Sequence, residues 1–249
     1  MEEVREDTEE GVESTIVLIN LTILSMKLIL VGGGSENQSK ESDLLFTSLL
    51  KNKNILYIPI AMHNGKYSYS DCYKWCSNML SRYGDFNITM WDEEKIEEHR
   101  YEDLLNYGGE FIGGGNTFYL LKTLKELGFD KSLKRLLTET DIPISGGSAG
   151  ALIFAKTIET ANSLDPNNVN LKNLDGLNMI NGNNIFVHYE QRWNSDISNY
   201  IKKSNQNIIT IPENSGIFVD NRNISVIGEG DVKVFPEGKV YRKDAVITV

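Results

Sequence analysis

Histidine is scarce: the 249 residues hold three, so a histidine base can only be His63, His99 or His188. Cysteine is scarcer still. Cys72 and Cys76 stand one helical turn apart, with no second ligand pair and no zinc-type spacing. The pair therefore reads as two thiols on one helix in a reducing compartment, with no metal site. No run is long and apolar enough to span a bilayer. Positive charge is also short, at 25 Lys and Arg against 35 Asp and Glu, a formal net charge of -10. An acidic surface repels phosphate backbones and anionic headgroups, which excludes nucleic acid and membrane as expected partners. Together these features point to the cytoplasm. Low-complexity linkers and internal repeats are missing too, which favours one domain.

At the N-terminus an acidic run from Glu2 to Glu10 precedes a short apolar run, Thr15 to Leu24. A secretory signal would begin with basic residues. Residues 1–25 are therefore expected to be an extension, poorly ordered or lying upstream of a natural start at Met26. An added edge strand over Thr15 to Leu24 is the competing expectation. The main domain is expected over residues 26–249.

What is present is an alternation of apolar runs and helical spacings. Strands are predicted at Lys27–Val31, Asn54–Ile60, Phe86–Trp91, Glu110–Ile112 and Ile142–Ser145. Helices are predicted at Glu41–Leu50, Tyr67–Tyr83, Glu93–Leu105, Thr117–Leu127 and Lys131–Leu137. Strands alternating with helices make an α/β fold: a single doubly wound, mostly parallel sheet with flanking helices. Short β segments follow near the C-terminus, from Ile208 onward. Ligands bind such sheets beyond the carboxyl ends of the strands. Four places qualify: Gly32-Gly33-Gly34, Ala61-Met62-His63, Gly113-Gly114-Gly115, and Gly146 to Gly150.

The last of these, Gly146-Gly147-Ser148-Ala149-Gly150, is a G-x-S-x-G turn between a strand and a helix. Small neighbours let a serine project from a cramped backbone, and unpaired amides at the helix start favour developing negative charge. A glycine-rich helix start that packs tightly or holds an anion is the bland alternative. A serine nucleophile needs a base. His99 lies on a charged helix and reads as a solvated face residue. His63 and His188 each end an apolar run, and His188 is the favoured base. A carboxylate should orient it. Asp165 lies between serine and histidine and is the candidate, with Asp175, Glu159, Glu190 and Glu213 as rivals. An oxyanion needs two amides. Ala149 can supply one and the loop Gly113-Gly114-Gly115-Asn116 the other.

Three stretches carry a family resemblance: Gly113-Gly114-Gly115-Asn116-Thr117-Phe118-Tyr119-Leu120-Leu121, Gly147-Ser148-Ala149-Gly150-Ala151, and His188-Tyr189. With Ile211-Pro212-Glu213-Asn214-Ser215-Gly216 and the opening Met26-Lys27-Leu28, they resemble the peptidase E family of serine peptidases (α-aspartyl dipeptidases), to which cyanophycinase is related. The resemblance implies a class I glutamine-amidotransferase-like fold and hydrolysis of a small peptide through an acyl-enzyme, without metal or cofactor. It implies Ser148 as nucleophile, His188 as base, Gly114 and Ala149 as oxyanion hole, and a homodimer. The family's acid follows an asparagine; here the place after Asn162 is Ser163, and the nearest acid is Asp165. Glu190 and Glu213 stay open. An aspartyl substrate presents a carboxylate, for which Arg192 is the expected partner, and Asn116 is a second expected substrate contact. A cyanophycinase-like hydrolase, an esterase and a non-catalytic binding protein are the alternatives.

Overall fold

The computed structural model describes residues 26–248; the expected extension, start site and edge strand over 1–25 lie outside the described residues. The chain runs β1 (Lys27–Val31), α1 (Lys40–Leu49), β2 (Asn54–Ile58), α2 (Tyr69–Ser81), β3 (Asn87–Met90), α3 (Glu93–Glu98), α4 (Tyr101–Leu104), β4 (Gly109–Ile112), α5 (Thr117–Glu126), α6 (Phe129–Glu139), β5 (Ile144–Gly147) and α7 (Ala149–Leu152). It continues through β6 (Asn184–Phe186), α8 (Asn194–Ser204), β7 (Ile208–Thr210), β8 (Ser215–Asp220), β9 (Asn223–Gly228), β10 (Val232–Phe235) and β11 (Lys239–Tyr241).

The main sheet has seven strands in the order β3-β2-β4-β5-β1-β8-β9. The first five are parallel, and β8 and β9 add to the β1 edge as an antiparallel pair. A period of two along each strand sends alternate side chains to opposite faces. Leu28 and Leu30 of β1 and Leu56 and Ile58 of β2 join the core under α5 and α6, with Phe118, Leu124 and Leu133. Ile29, Val31, Ile55 and Tyr57 point the other way, onto Phe46 of α1 and Cys76, Met79 and Leu80 of α2. Burial on both faces explains why β1 and β2 read as continuous apolar runs.

Local chemistry sets the helix starts. Ser68, Asp92 and Asn116 cap α2, α3 and α5 by accepting the amides of Asp71, Lys95 and Tyr119. The single helix predicted over Glu93–Leu105 is two. His99 is extended at φ -113°, ψ 160°, and the Asp103 carboxylate accepts the Arg100 amide, starting α4 afresh. His99 is not a solvated face residue: its ring stacks on Trp91 at 4.2 Å.

The C-terminal β segments divide between two sheets. The second has four strands, β11-β10-β7-β6, with only β6 and β7 parallel. Its role is positional: it delivers the end of β6 and the end of β7 beside the carboxyl ends of β1 and β5. No helix of the described residues is long and apolar enough to cross a membrane.

Candidate active site

β5 lies between β4 and β1, and its register against β1 runs to Val31↔Gly147, so the chain leaves the sheet directly into Ser148. Ser148 holds φ 52°, ψ -112°, a conformation L-residues rarely adopt. The Ser148 amide donates to Val31 O at 3.1 Å, and Ser148 O accepts from Ala151 and Leu152 at 2.9 and 3.0 Å. These bonds hold the strained turn that a nucleophile elbow requires. The helix that follows is four residues long, so what it offers is free amides rather than a long dipole.

The Ser148 hydroxyl lies 2.8 Å from Nε2 of His188. His188 sits two residues past β6, with its own amide on Gly32 O at 2.9 Å and φ at 50°. Its imidazole packs over Gly33, where any Cβ would overlap the ring. The loop after β1, one of the four strand ends where the sequence places ligand binding, is thus the seat of the imidazole.

Behind the imidazole, Nδ1 faces Oε1 of Glu213 at 3.0 Å. Glu213 lies between β7 and β8, in a turn closed by the Ser215 amide on Pro212 O. Its other oxygen accepts from Nε2 of Gln38 at 3.3 Å, and Gln38 in turn accepts from the Ser35 amide and hydroxyl. Sequence reasoning carried Glu213 only as a rival and missed Gln38 altogether. Asp165, the acid expected there, is engaged elsewhere: its Oδ2 accepts from the Thr117 hydroxyl at 2.6 Å and the Thr117 amide at 3.0 Å. It serves the first turn of α5, whose exposed amides attract a carboxylate.

Gly114 approaches the serine so closely that an added Cβ would lie 3.1 Å from Ser148 Cβ. Among the described residues its amide has no protein acceptor, and the amide of Ala149, first in α7, has no intrahelical one. Both residues adjoin Ser148, and neither amide has a protein acceptor among the described residues. Both amide atoms of Asn116, the expected substrate contact, are bonded within the protein: Oδ1 accepts from the Tyr119 amide at 2.9 Å and Nδ2 donates to Pro166 O at 2.8 Å.

Two clefts meet at Ser148 and His188. One, of about 850 Å³, runs beneath α2 and includes Tyr57, Met62, Trp75, Phe111 and Gly114. The other, of about 410 Å³, includes Gly115, Asp165, Glu190, Arg192 and Glu213. Arg192 therefore stands on the smaller cleft, where its guanidinium is exposed, paired with Glu190 at 2.9 Å. His63, the alternative base, lies in a separate cluster: Glu93 Oε1 is 3.1 Å from His63 Nδ1 and accepts from Tyr69 and Tyr119 at 2.8 and 3.0 Å.

A serine on a strained strand-to-helix turn, a histidine on its hydroxyl and a carboxylate behind that histidine make the arrangement of a serine hydrolase. Residues 23–227 match the profile of peptidase family S51, and the chain belongs to that family. It is 28% identical over 146 residues to a probable alpha-aspartyl dipeptidase of Drosophila melanogaster, covering 58% of this chain and 57% of that one. It is 26% identical over 228 residues to a peptidase E of Pasteurella multocida, covering 85% of this chain and 94% of that one. The chain thus spans a little over half the length of the first relative, and nearly all of the second. A solved structure of a putative peptidase E protein from Listeria monocytogenes shares the fold, with a TM-score of 0.65 at 22% identity over 83% of this chain and 100% of that one.

Proposed function

We propose that residues 26–249 form a serine peptidase that hydrolyses a small peptide through an acyl-enzyme on Ser148. The observation that carries this reading is the relay from Ser148 Oγ to His188 Nε2 at 2.8 Å and from His188 Nδ1 to Glu213 at 3.0 Å. In the first half-reaction the hydroxyl proton passes to Nε2 as Oγ attacks the scissile carbonyl carbon. The carbonyl oxygen becomes an oxyanion facing the Gly114 and Ala149 amides. Collapse breaks the C–N bond, and the imidazolium returns its proton to the leaving amine. Water then enters, gives a proton to Nε2 and attacks the acyl carbon; the acyl–Oγ bond breaks, the imidazolium returns that proton to Oγ, and the acid leaves. Glu213 accepts from Nδ1–H, fixes the tautomer and stabilises the imidazolium. Ser148, His188 and Glu213 are in this reading the catalytic triad, and the chemistry calls for no metal or cofactor.

The names of the relatives support a peptide of dipeptide size. A cytoplasmic setting is favoured by Cys72 and Cys76, which are free and buried. The charge balance argues against nucleic acid and membrane as partners, and a homodimer is proposed on resemblance alone.

The test is labelling with a fluorophosphonate, which reacts with activated serines. Wild type should label and Ser148→Ala should not; label retained by Ser148→Ala would rule out Ser148 as nucleophile. Release of an amino acid from dipeptides then separates a peptidase from an esterase.

A further inference from the structure

The two clefts at Ser148 are chemically unlike, and the difference bears on the substrate. The larger is walled by aromatic rings: Phe111 lies 5.9 Å from Tyr57 and 6.4 Å from Trp75, centroid to centroid. Met62, Met79 and Cys72 complete the apolar lining. Trp75 and Tyr67, 41% and 52% exposed, line the same cleft as Ser148, so large apolar groups stand open to a substrate that enters it. The carboxylates of that cleft are Asp43 and Asp71, and among the described residues it has no lysine or arginine. Both carboxylates already have partners. Asp43, nearly inaccessible, accepts from the Ser39 hydroxyl at 2.8 Å, and Asp71 accepts from the Ser68 hydroxyl at 2.7 Å.

Gly114 belongs to this larger cleft and Gly115 to the smaller one. The larger cleft thus holds a proposed oxyanion donor together with Ser148 and His188, and an acyl side chain seated there would lie against aromatic rings. A substrate carboxylate there would be desolvated beside Asp43 with no lysine or arginine in the lining to meet it; the nearby cations are engaged outside, Lys66 over the Tyr67 ring and Arg82 with Glu36. Arg192, the residue expected to receive such a carboxylate, is on the other cleft.

We propose that the cleft walled by Tyr57, Met62, Trp75 and Phe111 takes a bulky apolar, foremost aromatic, side chain from the residue that acylates Ser148, and disfavours an acidic one. This rests on the serine-peptidase reading and departs from the substrate named for the Drosophila relative.

The experiment compares Phe-Leu, Lys-Leu and Asp-Leu, which share a leaving residue, by the kcat/KM for leucine release, with fluorophosphonate labelling run alongside. Phe-Leu should exceed both others by about tenfold or more, as expected for an apolar pocket refusing a charge. Tyr67→Arg, at an exposed lining position, should shrink the Phe-Leu to Asp-Leu ratio by about tenfold; a merely structural change would slow all substrates alike. Equal rates, or Asp-Leu or Lys-Leu as the fastest substrate with labelling intact, would overturn the pocket assignment and leave the nucleophile standing. Failure of the wild type to label would overturn the serine-peptidase reading and this inference with it.

Discussion

A histidine that takes a proton from serine is oriented by a carboxylate at its far nitrogen, and five acids competed for that position in the sequence. Asp165 had chain order in its favour; Glu213 has the contact. The two make opposite predictions on neutralisation. Glu213→Gln should lower kcat by about 10²–10³-fold, because the amide no longer stabilises the imidazolium or fixes its tautomer. Its thermal midpoint should barely move, since Glu213 is half-exposed. Asp165→Asn should instead cost about 1 kcal/mol of stability through the start of α5, with little change in kcat. Steady-state kinetics beside thermal melts distinguish them; a larger kcat loss for Asp165→Asn would return that residue to the site. Ser148 and His188 were legible because each is a residue type in a local context: a serine ringed by small residues after a strand, and one of few histidines. Glu213 was not, because its contact spans 25 residues and two strands of a second sheet. Nothing in the spacing of residues encodes that distance.

At the scale of elements, alternation and capping were readable because they are local. The strands β1, β2 and β4 fall where continuous apolar runs predict buried parallel strands. The predicted β5 is displaced: it starts at Ile144 rather than Ile142, with Pro143 contributing only its carbonyl, to the Glu110 amide. The break between α3 and α4 was hidden because its cause, Asp103 capping Arg100, looks in sequence like one more charged pair on a helix. Asn116 shows how the start of an element can position a site. It caps α5 and ties that helix start to Pro166, two positions from Gly114. Asn116→Ala should therefore lower stability by about 1–2 kcal/mol, the value of a lost cap and a lost side-chain bond. It should lower kcat more than it raises KM, because the loosened loop carries a proposed oxyanion donor. A rise in KM alone would instead make Asn116 a substrate contact.

Across the whole molecule, the class of fold was legible and the strand order was not. Parallel alternation predicts a doubly wound sheet, yet which strands neighbour one another depends on crossovers that no single segment specifies. The same global assembly creates a feature invisible in sequence. Glu110 begins as one polar letter in Gly109-Glu110-Phe111-Ile112, and the sheet buries it completely. Both carboxyl oxygens lack a hydrogen-bond partner among the described residues. Burial pushes its pKa from 4.5 up to about 8. The sign follows from linkage: the folded state keeps a proton that the unfolded chain releases above pH 4.5. Its neutral form supports the fold fully below that pH, and the support is lost as pH rises toward 8. Glu110→Met, of similar length and without charge, should therefore be more stable than wild type by an amount that grows from pH 5 to pH 8, reaching a few kcal/mol. The chain's negative charge also weakens the fold as pH rises, but that self-repulsion is nearly common to both proteins and falls out of the difference. Denaturant unfolding of the pair across that range gives the measurement. A difference independent of pH would mean that Glu110 does not titrate in this window in the folded protein.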